Sequence, residues 1–347
     1  MEYVHGGDVY TYEGMTDFSA NINPLGVSDA VLRAAGQAVQ KIGQYPDSKC
    51  RKLRRVLAEQ LKVEQDCLMF GNGAAELIFL LVMTLRPKKA LLPAPSFAEY
   101  KQALAAVGCE VIYYPLLKEH DFELNETYLE YLKPDLDLVF LCSPNNPVGN
   151  VIDRQLLLKI LGKCRENQIR MAVDECFYEF LDTRQEDTLI RQVKEYPMLF
   201  ILRAFTKMHA MAGLRLGYGI SGDSALLERM EAMRQPWSVS LVAQEAGIAA
   251  ALDTEWPAKT RAFLRIEREW LLARLTETGI RCYPPAANYI FFESKYDLYE
   301  LLIEQQILIR DCSNYDGLTK GYYRIAVRTR EENQKLVTAL KKLYTLI

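Results

Sequence analysis

The chain has 347 residues, 50% of them hydrophobic and 25% charged, which is enough apolar side chain to bury a large core and too little excess charge to remain disordered. Its 42 basic and 45 acidic residues leave a formal charge of −3, so there is no global field for wrapping a polyanion, and nucleic acid is not an expected partner. The longest near-continuous apolar run, Leu77 to Leu85, is far shorter than a bilayer span, and the opening Met1-Glu2-Tyr3-Val4-His5-Gly6-Gly7-Asp8 has neither the basic nor the apolar region of a leader, so a cytoplasmic protein with no membrane partner is expected.

From about Lys49 to Gly219, short apolar runs alternate with amphipathic stretches. Strands are predicted at Cys67 to Phe70, Ala90 to Leu92, Glu110 to Tyr114, Leu138 to Cys142, Arg170 to Val173, Leu199 to Leu202 and Leu216 to Ile220, with helices starting near Ala75, Phe97 and Asp153. The rhythm of strand, crossover helix and parallel strand predicts an α/β fold: an open twisted sheet, covered on both faces, with ligands at the carboxyl ends of its strands. After Gly222, helical patterns at Ala225 to Met233, Leu241 to Leu252 and Pro257 to Thr278 lead into short strands near Ile280 to Tyr283, Tyr289 to Phe292 and Tyr323 to Val327. A terminal helix from Arg330 follows, with Leu336, Leu340 and Leu343 on its core face. These elements predict a smaller α+β domain, onto which the first forty or so residues fold back. The eight cysteines, no two closer than twelve positions, lack metal-ligand or disulfide spacing and read as mostly buried thiols. His120 and His209 lack a paired ligand pattern, and no metal is expected.

Five stretches bring chemistry to predicted strand ends. Phe70-Gly71-Asn72-Gly73-Ala74-Ala75-Glu76-Leu77 joins a strand to a helix, and small residues there let N–H groups at a helix start approach a phosphate. A tight turn explains the glycines equally well, and the stretch is neither a Walker loop nor a dinucleotide fingerprint. Phe97 can present an aromatic face to a bound ring or belong to the core. In Cys142-Ser143-Pro144-Asn145-Asn146-Pro147-Val148-Gly149, the Asn146 amide can donate to a ligand or simply serve a turn. Asp174 ends the next strand, suited either to the protonated ring nitrogen of pyridoxal phosphate or to a helix cap or metal. Finally, Arg203-Ala204-Phe205-Thr206-Lys207 places one lysine in apolar surroundings, with Arg215 eight residues on. Desolvation favours the neutral, carbonyl-attacking amine, and a guanidinium can grip a phosphate bidentately; a surface lysine and a structural arginine are the bland alternative.

Taken in order, the phosphate loop, the aromatic, Asn-Asn-Pro-x-Gly, Asp-Glu, and Thr-Lys followed by an arginine resemble the fold-type I pyridoxal-phosphate enzymes of the aminotransferase class I/II superfamily, near the histidinol-phosphate aminotransferases. Within it, His5-Gly6-Gly7, Asp17-Phe18-Ser19-Ala20-Asn21-Ile22-Asn23-Pro24-Leu25-Gly26, Pro236-Trp237-Ser238-Val239 and Ile309-Arg310-Asp311-Cys312-Ser313-Asn314-Tyr315 resemble the L-threonine-O-3-phosphate decarboxylases of cobalamin synthesis. The resemblance covers nearly the whole chain. It implies a large pyridoxal 5'-phosphate-binding domain over 45–235, a small domain over 236–347, and residues 1–44 as an N-terminal arm and part of the small domain.

The same resemblance implies roles. Lys207 would anchor the cofactor covalently, Asp174 would pair with its pyridine nitrogen, Asn146 would contact its phenolic oxygen and Phe97 would stack on its ring. Gly73 and the backbone amides of Ala74 and Ala75, with Thr206 and Arg215, would hold its phosphate. Tyr45 would reach the cofactor phosphate of a partner subunit, which implies a homodimer with shared sites. Arg324 would grip the carboxylate of a phosphorylated amino-acid substrate, and Arg310, His5, Asn21 and Arg328 its phosphate. The implied reaction is decarboxylation of threonine phosphate to (R)-1-amino-2-propanol phosphate. An aminotransferase using the same Lys, Asp and Arg set is the alternative, and a catalytically silent sensor or scaffold the remote one. Three positions depart from the pattern: Phe177 where a tyrosine often serves the phenolic oxygen, Ala204 where a hydroxyl is common, and Ala75 where Ser or Thr is frequent. Two phosphate donors are thereby missing, each worth about 1.5–3 kcal/mol, and weaker cofactor binding is expected unless other groups compensate.

Overall fold

The alternation of apolar and amphipathic segments resolves into three layers around a central sheet, in a computed structural model that describes residues 5–182 and 188–346. Met1 to Val4, part of the stretch read for a leader, lie outside the described residues. After β1 (Thr16–Asp17), helices α1 (Asp29–Val39) and α2 (Arg51–Leu61) precede β2 (Leu68–Asn72), α3 (Gly73–Leu85), β3 (Lys89–Ala94), α4 (Ala98–Ala106), β4 (Glu110–Pro115), β5 (Leu138–Cys142), α5 (Arg154–Glu166), β6 (Arg170–Asp174), β7 (Leu199–Ala204) and β8 (Leu216–Ser221). The second half holds α6 (Ser224–Met233), α7 (Leu241–Leu252), α8 (Glu255–Glu277), β9 (Arg281–Cys282), β10 (Tyr289–Glu293), α9 (Leu298–Ile303), β11 (Ile307–Leu308), β12 (Arg310–Asp311), β13 (Tyr322–Ala326) and α10 (Arg330–Leu346).

The central sheet has seven strands in the order β2-β8-β7-β6-β5-β3-β4. All five residues of β5 are buried, as an unbroken apolar strand covered on both faces requires. One expectation is corrected: β8 runs antiparallel to both β7 and β2, so the strand, crossover and parallel-strand rhythm stops after β7. Only residues 205–215 join β7 to β8, too few for a crossover helix, and they carry Lys207 and Arg215. Side chains of Ser28, Asp153, Asp223 and Ser240 accept N–H groups of the first turns of α1, α5, α6 and α7, which fixes where those helices begin.

A second sheet of four antiparallel strands, β12-β13-β10-β9, is covered by α8 and α10, with Leu336 and Leu340 fully buried. The first segment folds back in two directions. β1 pairs with β11, and Phe18 bonds to Leu308 and Ala326, joining the second sheet. Helix α1 instead packs on α7, which also contacts α2 and β8. At Gly247 of α7 an added Cβ would lie 2.4 Å from Leu216, so the helix approaches the central sheet closely there. All eight cysteines are free, five of them buried.

Candidate active site

The carboxyl ends of β5, β6 and β7 lie side by side, with Cys142 opposite Asp174 and Asp174 opposite Leu202. Each strand therefore delivers one functional residue to the same edge: Asn146 four residues past β5, Asp174 at the end of β6, and Lys207 three residues past β7. They line a cavity of about 330 Å³ together with His5, Asn21, Ala74, Ala75, Phe97, Glu99, Thr206, Arg215, Arg310, Tyr315 and Arg324.

Burial and the Arg324 guanidinium draw the Lys207 ammonium down to about 8. The ammonium also lies 5.7 Å from the Phe177 ring. The loop carrying the lysine is held by the amino-terminal segment: Asn23 donates its backbone N–H to the Lys207 carbonyl at 3.1 Å and its side-chain amide to that of Met208 at 2.7 Å. Asp174 is 4% exposed. Its two oxygens accept the Tyr100 hydroxyl at 2.7 Å and the Cys176 N–H at 2.9 Å, which fixes the carboxylate plane.

Opposite, the amino terminus of α3 meets Arg215. A Cβ on Gly73 would lie 2.5 Å from the guanidinium, and one on Gly217 would lie 2.3 Å from the backbone nitrogen of Ala74. Both glycines thus let a cation and a helix start converge on one point, which suits an anion. Phe97 caps α4 beside the cavity, edge-on to Tyr100 at 5.5 Å.

The second anion-binding feature comes from the other sheet, where Arg310 and Arg324 are directly paired across β12 and β13. Two like charges opposite each other on one face are unfavourable unless counter-charge is supplied. Arg324 donates to the Asn146 side-chain oxygen and, at 2.9 Å, to the Ser19 carbonyl, while its Nε is buried without a partner among the described residues. Arg310 donates to Asn314 at 2.8 Å and lies over the Tyr315 ring. The Asn21 side-chain oxygen, also facing this space, is likewise buried without a partner.

One expected residue, Arg328, is not brought to the cavity, while Tyr45, assigned to the cofactor of a partner subunit, is a residue of the surface. Arg328 does not line the cavity: its guanidinium pairs with Glu332 at 2.6 Å at the start of α10. There Thr329 and Glu332 exchange hydrogen bonds as a capping box, and the Thr-x-x-Glu spacing was the available signal. Tyr45 is 79% exposed, stacked on Trp237 at 4.4 Å and outside this chain's cavity. Conversely, Tyr100, Glu99, Tyr315 and Cys176 belong to the site without having been singled out. Among the described residues no cluster of His, Cys, Asp or Glu is arranged for a metal, and no helix is long and apolar enough to cross a membrane.

Comparison with known proteins gives a consistent result. The sequence profile of the family described as "Aminotransferase class I and II" matches residues 13–340. A threonine-phosphate decarboxylase from Salmonella typhimurium is 38% identical over 98% of this chain and 96% of its own. A histidinol-phosphate aminotransferase from Bacillus velezensis is 30% identical over 96% of this chain and 93% of its own. The crystal structure of the histidinol-phosphate aminotransferase from Clostridium acetobutylicum superposes with a TM-score of 0.89 at 30% identity, covering 95% of this chain and 99% of that one.

Proposed function

The chain belongs to the aminotransferase class I and II family, and from that premise we propose that it is a pyridoxal-phosphate-dependent carboxy-lyase that converts L-threonine O-3-phosphate to (R)-1-amino-2-propanol O-2-phosphate in cobalamin synthesis. The residues present fit the cofactor. The site joins a lysine with a lowered pKa, a buried carboxylate with both oxygens fixed, and a glycine-lined helix start beside Arg215. Asp174, Lys207, Phe97, Asn146, Thr206, Arg215 and the Ala74 and Ala75 amides would hold it.

When bound, pyridoxal phosphate supplies an electron sink for a bond broken at the substrate's α-carbon. The protein's own residues do the rest. Asp174, held by Tyr100 and Cys176, keeps a negative charge in place to pair with a ring cation. Arg324 takes the substrate carboxylate with its free Nε, and Arg310 takes the phosphate. Anchoring both ends would fix how the substrate is turned in the site, and remote binding energy would thereby select which α-carbon bond breaks. Loss of carbon dioxide leaves an electron pair that must gain a proton, and Lys207, with its ammonium near 8, is able to deliver one there.

The observation that carries this reading is the Arg310–Arg324 pair. A substrate bearing a carboxylate and a phosphate at once neutralises both guanidinium groups in one molecule, whereas an aminotransferase acting on histidinol phosphate would meet them separately, with the phosphate of one substrate and the carboxylate of the keto-acid acceptor. Incubation with threonine phosphate and no keto-acid acceptor should release carbon dioxide. Acceptor-dependent amino transfer without carbon dioxide would establish the aminotransferase instead. Serine phosphate belongs in the same assay, because one methyl group discriminates only modestly.

Three coarser assignments accompany this reading. The division into 45–235, 236–347 and an arm over 1–44 is kept for the domains, with α7 packed toward the larger one. A homodimer is inferred from the family resemblance and from the exposed apolar side chains of Tyr45, Trp237, Ile42, Val39 and Leu32, which a second copy would cover. The eight free thiols suit a reducing compartment, which supports the cytoplasm.

A further inference from the structure

Glu99 shares the cavity with Asp174, and on the reading that a phosphorylated amino acid binds there, a second carboxylate facing an anion requires a reason. Its Oε1 lies 3.4 Å from Nδ1 of His5, and its Oε2 is buried with no hydrogen-bond partner among the described residues. His5 is carried to this place by a closely laid arm. The Gly7 N–H donates to the Ser19 hydroxyl at 2.7 Å, and a Cβ on Gly6 would lie 2.3 Å from the Ser19 carbonyl oxygen. Arg310 lines the same space.

We propose that Glu99 is a positioning residue for phosphate recognition: its carboxylate accepts the Nδ1–H of His5 and thereby holds the imidazole with Nε2–H free to donate to the substrate's phosphate beside Arg310. The surrounding charges agree with this arrangement. Burial and Asp174 raise the Glu99 carboxyl to about 7 against the opposing Lys207 and Arg310, while burial and Arg310 lower His5. Without an anion, both members tend toward neutrality. A bound dianion favours the imidazolium, and the imidazolium in turn favours the Glu99 carboxylate, so the repulsion between carboxylate and ligand is replaced by a chain of opposite charges.

The test uses the holoenzyme and sulfate, an anion whose charge is constant around neutral pH, with binding read by calorimetry. Glu99→Gln keeps the shape and removes the charge; it should weaken sulfate binding about tenfold, the scale of one charge-assisted hydrogen bond. His5→Ala should do the same, and the double variant should bind no more weakly than His5→Ala alone. The chain has three histidines, so His5 can be followed directly by NMR titration, and Glu99→Gln should lower its pKa in the sulfate complex. Unchanged or tighter sulfate binding in Glu99→Gln, a loss that persists in full without His5, or an unmoved His5 titration would each overturn the proposal. Sulfate binding is indifferent to which bond is broken, so these failures leave the decarboxylase assignment standing. Absence of carbon dioxide release, with the sulfate coupling intact, would reject that assignment alone.

Discussion

In the proposed role, Lys207 has to be neutral to join the cofactor and charged to give a proton, and its surroundings set the balance between the two. Burial is the larger influence and Arg324 the next, and together they bring the ammonium to about 8. Because the value is lowered, the amine fraction grows as pH rises through that point. Cofactor uptake by the apoprotein, followed by its visible absorption, should therefore accelerate with pH and level off above about 9. Arg324→Gln removes one of the depressing charges and should move the midpoint upward; an unmoved midpoint would remove Arg324 from the causes and leave burial and Arg215. Tyr100 offers a second check. Its hydroxyl is the donor to one Asp174 oxygen inside a fully buried stack on Phe140, so Tyr100→Phe should cost about 1.5–3 kcal/mol in denaturant unfolding. A change within error would mean that another donor takes over.

These two residues also show what the sequence could reveal. Lys207, Asp174 and Asn146 were legible because each ends or follows an apolar strand, and strand ends of parallel sheets converge. Tyr100 and Glu99 were not, because on a helix the same letters serve equally well on any face, and only packing decides which one meets Asp174 or His5. Arg328 was assigned to the phosphate by the family resemblance alone, whereas its local partner, Glu332 four residues on, claims it for a helix start.

Among the elements, α3 and β8 illustrate how backbone proximity builds an anion site. Gly73 and Gly217 both face the junction, but they meet different obstacles. At Gly73 the added Cβ would press on the end of a movable arginine, at a φ of +78° that disfavours any side chain. Gly73→Ala should therefore fold, lose about 1–2 kcal/mol, and bind the cofactor more weakly because Arg215 is displaced. At Gly217 the obstacle is the backbone of Ala74, which cannot give way without moving the helix start. Gly217→Ala should be the more damaging to stability, measured by thermal unfolding of the apoproteins; the reverse order would refute this account of the junction. The reversal of β8 that creates the junction was hidden in the sequence, since an apolar strand reads the same in either direction. The short connection from β7 was the only hint.

At the scale of the whole molecule, the placement of Tyr45 makes a prediction about assembly. Its ring is stacked on Trp237 and turned outward, and Leu32 and Val39, two turns apart on α1, are exposed apolar side chains as well. If a second copy covers these side chains and Tyr45 completes the neighbouring site, loss of Tyr45 and loss of Lys207 damage different subunits of the same site. Neither Tyr45→Ala nor Lys207→Ala alone should support full turnover. After unfolding and refolding the two together, half of the dimers would be mixed, and in each mixed dimer one site would regain both residues. Activity should then recover to about a quarter of that of the unmodified protein, the fraction expected for random two-fold assembly. Recovery to that level would place the tyrosine in trans. Activity no greater than the average of the separate variants would place it in cis or outside the site, and the exposed apolar side chains would then need a different partner.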